Sequence, residues 1–177
     1  MVLMLLFACL PKQAPVQSIS ALPTDLVAVA NLLESREVRD GPAALYGALE
    51  GLLQQRNLVP QRVEPAAWSA EFTNRRSPGQ RVLFLAERST TERVVLLVDT
   101  TASFYSQMSG RYRWTVAVEA QVRAAPTDKN PLSVTFEVPV FLDFDHERED
   151  AAIAAAVPVI QHRLASLLDE WLGGRAE

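Results

Sequence analysis

The sequence predicts an α/β domain: a mixed β-sheet packed by an amphipathic helix in the N-terminal half and by a long helix at the C-terminus. Three observations carry that reading. Val94-Val95-Leu96-Leu97-Val98 is an unbroken apolar run of the kind that forms a strand covered on both faces. The segments Arg111 to Arg123 and Leu132 to Phe144 alternate apolar and polar residues, as half-buried strands do. The last apolar residues, Ile153, Val157, Ile160, Leu164, Leu167, Leu168 and Trp171, recur every three or four positions, as on one side of a helix.

The remaining elements follow in chain order. Leu26-Val27-Ala28-Val29-Ala30 has strand length, and the charged stretch from Glu34 to Pro42 reads as a loop. Pro42 suits a first helical turn, and Leu45, Leu49, Leu52 and Leu53 then predict an amphipathic helix over Ala43 to Gln55. Leu58 to Val63 is a second strand. Pro65-Ala66-Ala67-Trp68 opens a short helix that Ser77-Pro78-Gly79 stops, and Val82 to Glu87 adds a helical turn or two. The Val94 strand should be central. On the Arg111 strand, Tyr112, Trp114, Val116, Val118, Ala120 and Val122 form a dry face, and Arg111, Arg113, Thr115, Glu119, Gln121 and Arg123 a wet one. The turn-rich stretch Pro126 to Pro131 joins it to the Leu132 strand as a long hairpin. The C-terminal helix should bend or start near Pro158 and stop at Gly173-Gly174.

With 177 residues, 49% of them apolar, the chain suits a single domain with a substantial core. Its net charge of -4 and its lack of any Lys or Arg run argue against nucleic acid as a partner. Beyond the first ten residues no stretch approaches the roughly 20 consecutive apolar residues of a spanning helix, which predicts a water-soluble body. The single Cys excludes a disulfide framework and a multi-thiolate zinc site.

The position of that cysteine is informative. An apolar run, Val2 to Ala8, precedes it, and Leu6-Phe7-Ala8-Cys9 resembles the lipobox of bacterial lipoproteins. The resemblance implies that residues 1–8 are the remnant of an export signal peptide and that Cys9 is the lipid attachment point, bearing acyl chains such as palmitate. Pro11, Pro15 and the polar stretch Lys12 to Ser20 have the composition of a tether, so residues 9–24 read as the linker and 25–177 as the single α/β domain. No basic residue precedes the apolar run. The alternative is a buried apolar N-terminal strand with an inert Cys9.

The order of a strand at Leu26 to Ala30, a helix at Ala43 to Gln55 and a sheet over Val94 to Phe144 resembles the domain shared by the TolB amino-terminal region, the curli-secretion lipoprotein and the lipoprotein activators of penicillin-binding proteins. That resemblance implies a periplasmic docking module without an active site, and it transfers no binding residue. A looser resemblance, on the lipobox, the same order and the final helix with Arg163-Leu164, is to the lipoprotein partner of the lipopolysaccharide translocon. It implies an accessory role in lipid transport. Both imply an outer-membrane anchor, a domain facing the periplasm and another envelope protein as partner.

Asp99-Thr100-Thr101-Ala102-Ser103 fits the D-x-[ST]-x-S pattern with which von Willebrand factor A domains hold a divalent cation through oxygen ligands. That fold needs its metal strand near the beginning, so the alternative is a strand end whose hydroxyls satisfy turn backbone. Asp143, Asp145, Glu147, Glu149 and Asp150 surround His146, either as oxygen ligands or as carboxylates favoured at the positive end of the last helix. Neither His146 nor His162 sits in a motif with a nucleophile, and nothing resembles a G-x-S-x-G elbow or a Gly-rich phosphate loop. The expectation is therefore no enzyme activity, no cofactor, no metal and no identified small-molecule substrate. Tyr, Trp and Arg dominate protein interfaces, which singles out Tyr105, Tyr112, Trp114, Arg111 and Arg113. Tyr112 and Trp114 share the face of the valines and suit the core. Tyr105, Arg111 and Arg113 remain as partner-binding candidates, the arginines suited to acidic groups.

Overall fold

The computed structural model describes residues 21–33, 37–63, 77–87, 92–125, 128, 131–143 and 148–174. The described elements are six strands and three helices: β1 (Leu22–Leu32), β2 (Glu37–Asp40), α1 (Ala43–Gln54), β3 (Leu58–Arg62), α2 (Pro78–Glu87), β4 (Arg93–Met108), β5 (Arg111–Ala125), β6 (Leu132–Asp143) and α3 (Glu149–Gly173). The strands form one mixed sheet in the order β2-β1-β4-β5-β6, with β3 also on β1. β1 is parallel to β4 and β3 and antiparallel to β2, while β4, β5 and β6 form an antiparallel meander.

The period-two alternation of the strands splits the core into two layers. On one face Leu26, Leu96, Trp114, Val118 and Val122 pack under Leu45, Leu49 and Leu53 of α1 and Ile153, Ile160, Leu164 and Leu168 of α3. On the other, Val27, Val29, Val95 and Leu97 pack under Val82, Phe84 and Leu85 of α2. The α/β class and the two expected helices are present. β1 and β4 carry apolar residues on both faces because each is covered on both, as the Val94 run predicts.

Several expectations are corrected. Glu37–Asp40, read as loop, is a strand that turns back on β1, pairing Val29 with Asp40 through Leu32 with Glu37. Gly41 permits the exit from it: a Cβ there would lie 3.0 Å from the Cβ of Ala28, whose carbonyl accepts the Gly41 N–H at 2.8 Å. Ser77-Pro78-Gly79, read as a breaker, begins α2. Ser77 Oγ accepts the Gln80 N–H at 3.3 Å, as an N-cap does, and Pro78 supplies the first helical residue. The short helix read at Pro65 to Trp68 lies outside the described residues.

β5 is less wet than its alternation suggests. Gln121 and Arg123 are buried, because α2 packs against β4 and β5 on that face. On this face the residues from Arg113 to Glu119 are half-buried, and only Arg111, at the hairpin end, is exposed. The C-terminal helix is continuous through Pro158 rather than starting there. Its length and mean hydropathy of 1.4 meet those of a membrane-crossing helix, which a count of uninterrupted apolar residues does not register. Its apolar side is nevertheless packed on the sheet through Ile153, Ile160, Leu164, Leu168 and Trp171.

Arg56, just after α1, ties it to α3. Its guanidinium donates to both oxygens of Asp169, at 2.8 and 2.9 Å, and to the carbonyls of Leu52 and Ala165. That bond lowers the Asp169 carboxyl below its ordinary range.

Candidate functional site

The three partner-binding candidates come together at one end of the sheet. β4 and β5 extend well past the last β1 partner of β4, Thr101, and close at Ser109-Gly110. Both turn residues have positive φ, 47° and 85°, the requirement of a two-residue type I′ hairpin whose twist matches that of the strands. The sequence therefore builds a protruding hairpin.

Near its tip the β4–β5 register shifts between Phe104 and Ser106. Phe104 pairs with Trp114, and Ser106 with Arg113, so Tyr105 is the extra residue of a bulge, a device that re-aims a side chain. Its ring lies 4.5 Å from the Arg113 guanidinium. Arg113 pairs in register with Phe141 of β6, and Arg111 with Asp143, to which it is also ion-paired at 3.6 Å. Tyr105, Arg113 and Phe141 thus form a row across three strands. Tyr105 is 67% exposed and Phe141 60%.

On the opposite face of the same end, Phe104 meets Trp114 edge-on at 5.6 Å and Tyr112 at 6.1 Å. Trp114 is buried there, as its alternation predicts. The reading of the sequence misses Phe141 and Phe104. For Phe141 the available signal was an aromatic at a polar-face position of its alternation, and Ser109-Gly110 was the signal for the hairpin.

Asp99, Thr101 and Ser103 do share one face, but they sit in mid-strand, not at a strand end. The Asp99 carboxylate accepts bonds from Arg81 of α2 and from Asn31 of β1, and Asn31 Nδ2 also donates to the Thr100 carbonyl at 3.1 Å. The cation at Asp99 is thus a guanidinium. Burial pushes the Asp99 carboxyl above its ordinary range, against the opposing pull of Arg81. Beside this pair lies a concavity of about 290 Å³, lined in part by Asn31, Pro78, Asp99, Thr101, Glu119 and Thr135. Among the described residues no group of three or more His, Cys, Asp or Glu is placed to hold a metal. Cys9 and the centre of the acidic cluster, Asp145 to Glu147, lie outside the described residues.

No protein-family model matches the chain, and no curated protein matches it. Solved structures similar to it include a minor lipoprotein from Acinetobacter baumannii, at 8% identity and a TM-score of 0.39, covering 82% of this chain and 92% of that one. The rare lipoprotein B from Shewanella oneidensis is similar at 12% identity and a TM-score of 0.35, covering 84% and 96%. A lipoprotein from Neisseria meningitidis is similar at 11% identity and a TM-score of 0.39, covering 81% and 97%. Likenesses of this size carry no residue role across.

Proposed function

We propose that the chain is a bacterial envelope lipoprotein that catalyses nothing: Cys9 carries the lipid, the anchor sits in the outer membrane, and the domain stands in the periplasm as an interaction or assembly module. The observation that carries the reading is polarity. Leu22, where the chain leaves the sheet toward Cys9, lies at one end, and Tyr105, Arg111 and Arg113 gather at the other. Such an arrangement holds a docking surface away from its anchor. The concavity beside Asp99 is walled largely by polar groups, which does not favour a lipid-transport role.

The test is Cys9→Ala in the full chain. Acylation contributes about 0.8 kcal/mol per buried methylene, so two or more chains hold a protein firmly on a bilayer. The variant should move from the membrane to the soluble fraction with an unchanged circular dichroism spectrum, and intact-mass measurement of the parent should show added acyl groups. Sedimentation of the variant with membranes, or a parent without lipid, overturns the reading.

A further inference from the structure

We propose that the row Tyr105, Arg113 and Phe141 is a docking site for a carboxylate-bearing segment of a protein partner, with the Arg113 guanidinium as its receptor. The case begins with what Arg113 lacks. Its Nε is buried without a hydrogen bond and out of a partner's reach, but its two Nη groups are not buried, and no carboxylate among the described residues pairs with them. A half-buried cation with an idle donor is unfavourable until an acceptor arrives. Arg111, two residues away, differs in this respect, because Asp143 already engages it.

The Tyr105 ring backs the guanidinium at 4.5 Å, a contact with a ring face that uses none of its N–H donors in a hydrogen bond. Planar, bidentate recognition of a carboxylate is what arginine does and lysine does not. Tyr105 and Phe141 flank Arg113 as large exposed aromatics, which with arginine are the side chains that anchor interfaces. Among the described residues Arg113 has no ion-pair partner, so the occupant complementary to it is acidic.

A lipid phosphate would satisfy the same donors, but geometry favours a protein. Resting on the lipoprotein reading above, the anchor is Cys9, and the stretch from Cys9 to Leu22 spans at most about 45 Å when fully drawn out. From the level of Leu22 to Tyr105 the sheet itself runs roughly 40 Å. With the domain standing on its Leu22 end, the site therefore faces away from the anchor's own bilayer, and only a domain lying along the membrane would bring it there.

The experiment uses the full-length lipoprotein carrying Phe141→benzoylphenylalanine, irradiated in the cells that make it, with the contact peptide of each adduct sequenced by mass spectrometry. The expected product is a protein adduct whose contact peptide holds Asp or Glu, whose yield falls at least tenfold with Arg113→Glu and with Arg113→Gln, and is restored to the Arg113→Glu protein when that acid is changed to Arg in the partner. Thermal melts establish that both variants are folded. Adducts only to lipid, adducts only to a second copy of the chain, no protein adduct that depends on Arg113, or Arg113-dependent sedimentation of the purified full-length Cys9→Ala chain with phosphatidylglycerol vesicles would each overturn the proposal. The anchor is judged separately: an acid-dependent adduct from a chain without lipid keeps the docking site and removes the lipoprotein reading, whereas a lipidated chain without such an adduct does the reverse.

Discussion

The Arg81 guanidinium and the Asp99 carboxylate meet beneath the first turn of α2, where only 3% and 6% of the two residues reach solvent. Asn31 completes the group by donating to Asp99 while its Oδ1 accepts from Arg81 at 3.2 Å. The pair pins α2 to the sheet at the point where the apolar contacts of Val82 and Leu85 end.

Breaking the pair from one side should cost more than removing it. Asp99→Asn leaves Arg81 charged and buried, with an expected loss of about 3–5 kcal/mol. The double variant Arg81→Met, Asp99→Leu should lose less than Asp99→Asn, because no charge is then left in the interior. Urea unfolding of the three proteins checks the order. A double variant weaker than Asp99→Asn would mean that the pair contributes more than its desolvation costs.

Trp114 and Arg113 are neighbours on β5 with opposite outlooks. Trp114→Ala should open a cavity under α3 and cost roughly 3–5 kcal/mol. Arg113→Ala removes its stacking on Tyr105 and should cost about 1 kcal/mol or less. Chemical denaturation compares them directly. Equal costs would mean that the register pairing Trp114 with Phe104 is wrong, since a slip of one residue exchanges the two faces.

The same strand shows how far the sequence was legible. Alternation identified the core side of β5 and β6, since a residue's face depends only on its parity in the strand. It did not identify what lay over the other face. Gln121 and Arg123 look solvated in sequence and are buried because α2, separated from them by some forty residues, folds across them. Tyr105 and Arg113 could be named singly, but their contact depends on a bulge and a hairpin register, which residue types alone do not determine. Arg81 offered no signal, since one arginine on a helix ordinarily faces water.

The Ser109-Gly110 turn should be sensitive to Cβ. Gly110→Ala forces a side chain into φ 85° and should cost about 1–2 kcal/mol, whereas Ser109→Asn should be neutral or stabilise by a few tenths of a kcal/mol. Thermal melts supply the stabilities, and hydrogen exchange at the hairpin amides shows whether the loss is local. A Gly110→Ala protein as stable as the parent would exclude the type I′ turn.

Acid should loosen the tie between α1 and α3. Arg56 holds the Asp169 carboxyl below its ordinary range, so folding favours the ionised form. Its contribution is complete above the ordinary aspartate pKa and is lost as the pH falls through the lowered folded value. Asp169→Asn should therefore be less stable than the parent near neutral pH, with the difference closing on acidification to about pH 2. A gap that stays constant over that range would mean that the Arg56 bond does not depend on the charge of Asp169.

The parallel pairing of β1 with β4 has a mechanical consequence. β1 leads back toward Cys9 from one end, and β4 runs on to the tip that carries Tyr105 at the other. Tension applied between Leu22 and the hairpin tip would run along the strands and load the β1–β4 bonds, from Thr24–Val94 to Asn31–Thr101, in shear. Bonds loaded in that direction share the force and must yield together, whereas a pull across the sheet would open them one at a time. The same topology that separates the two ends of the domain makes the path between them stiff.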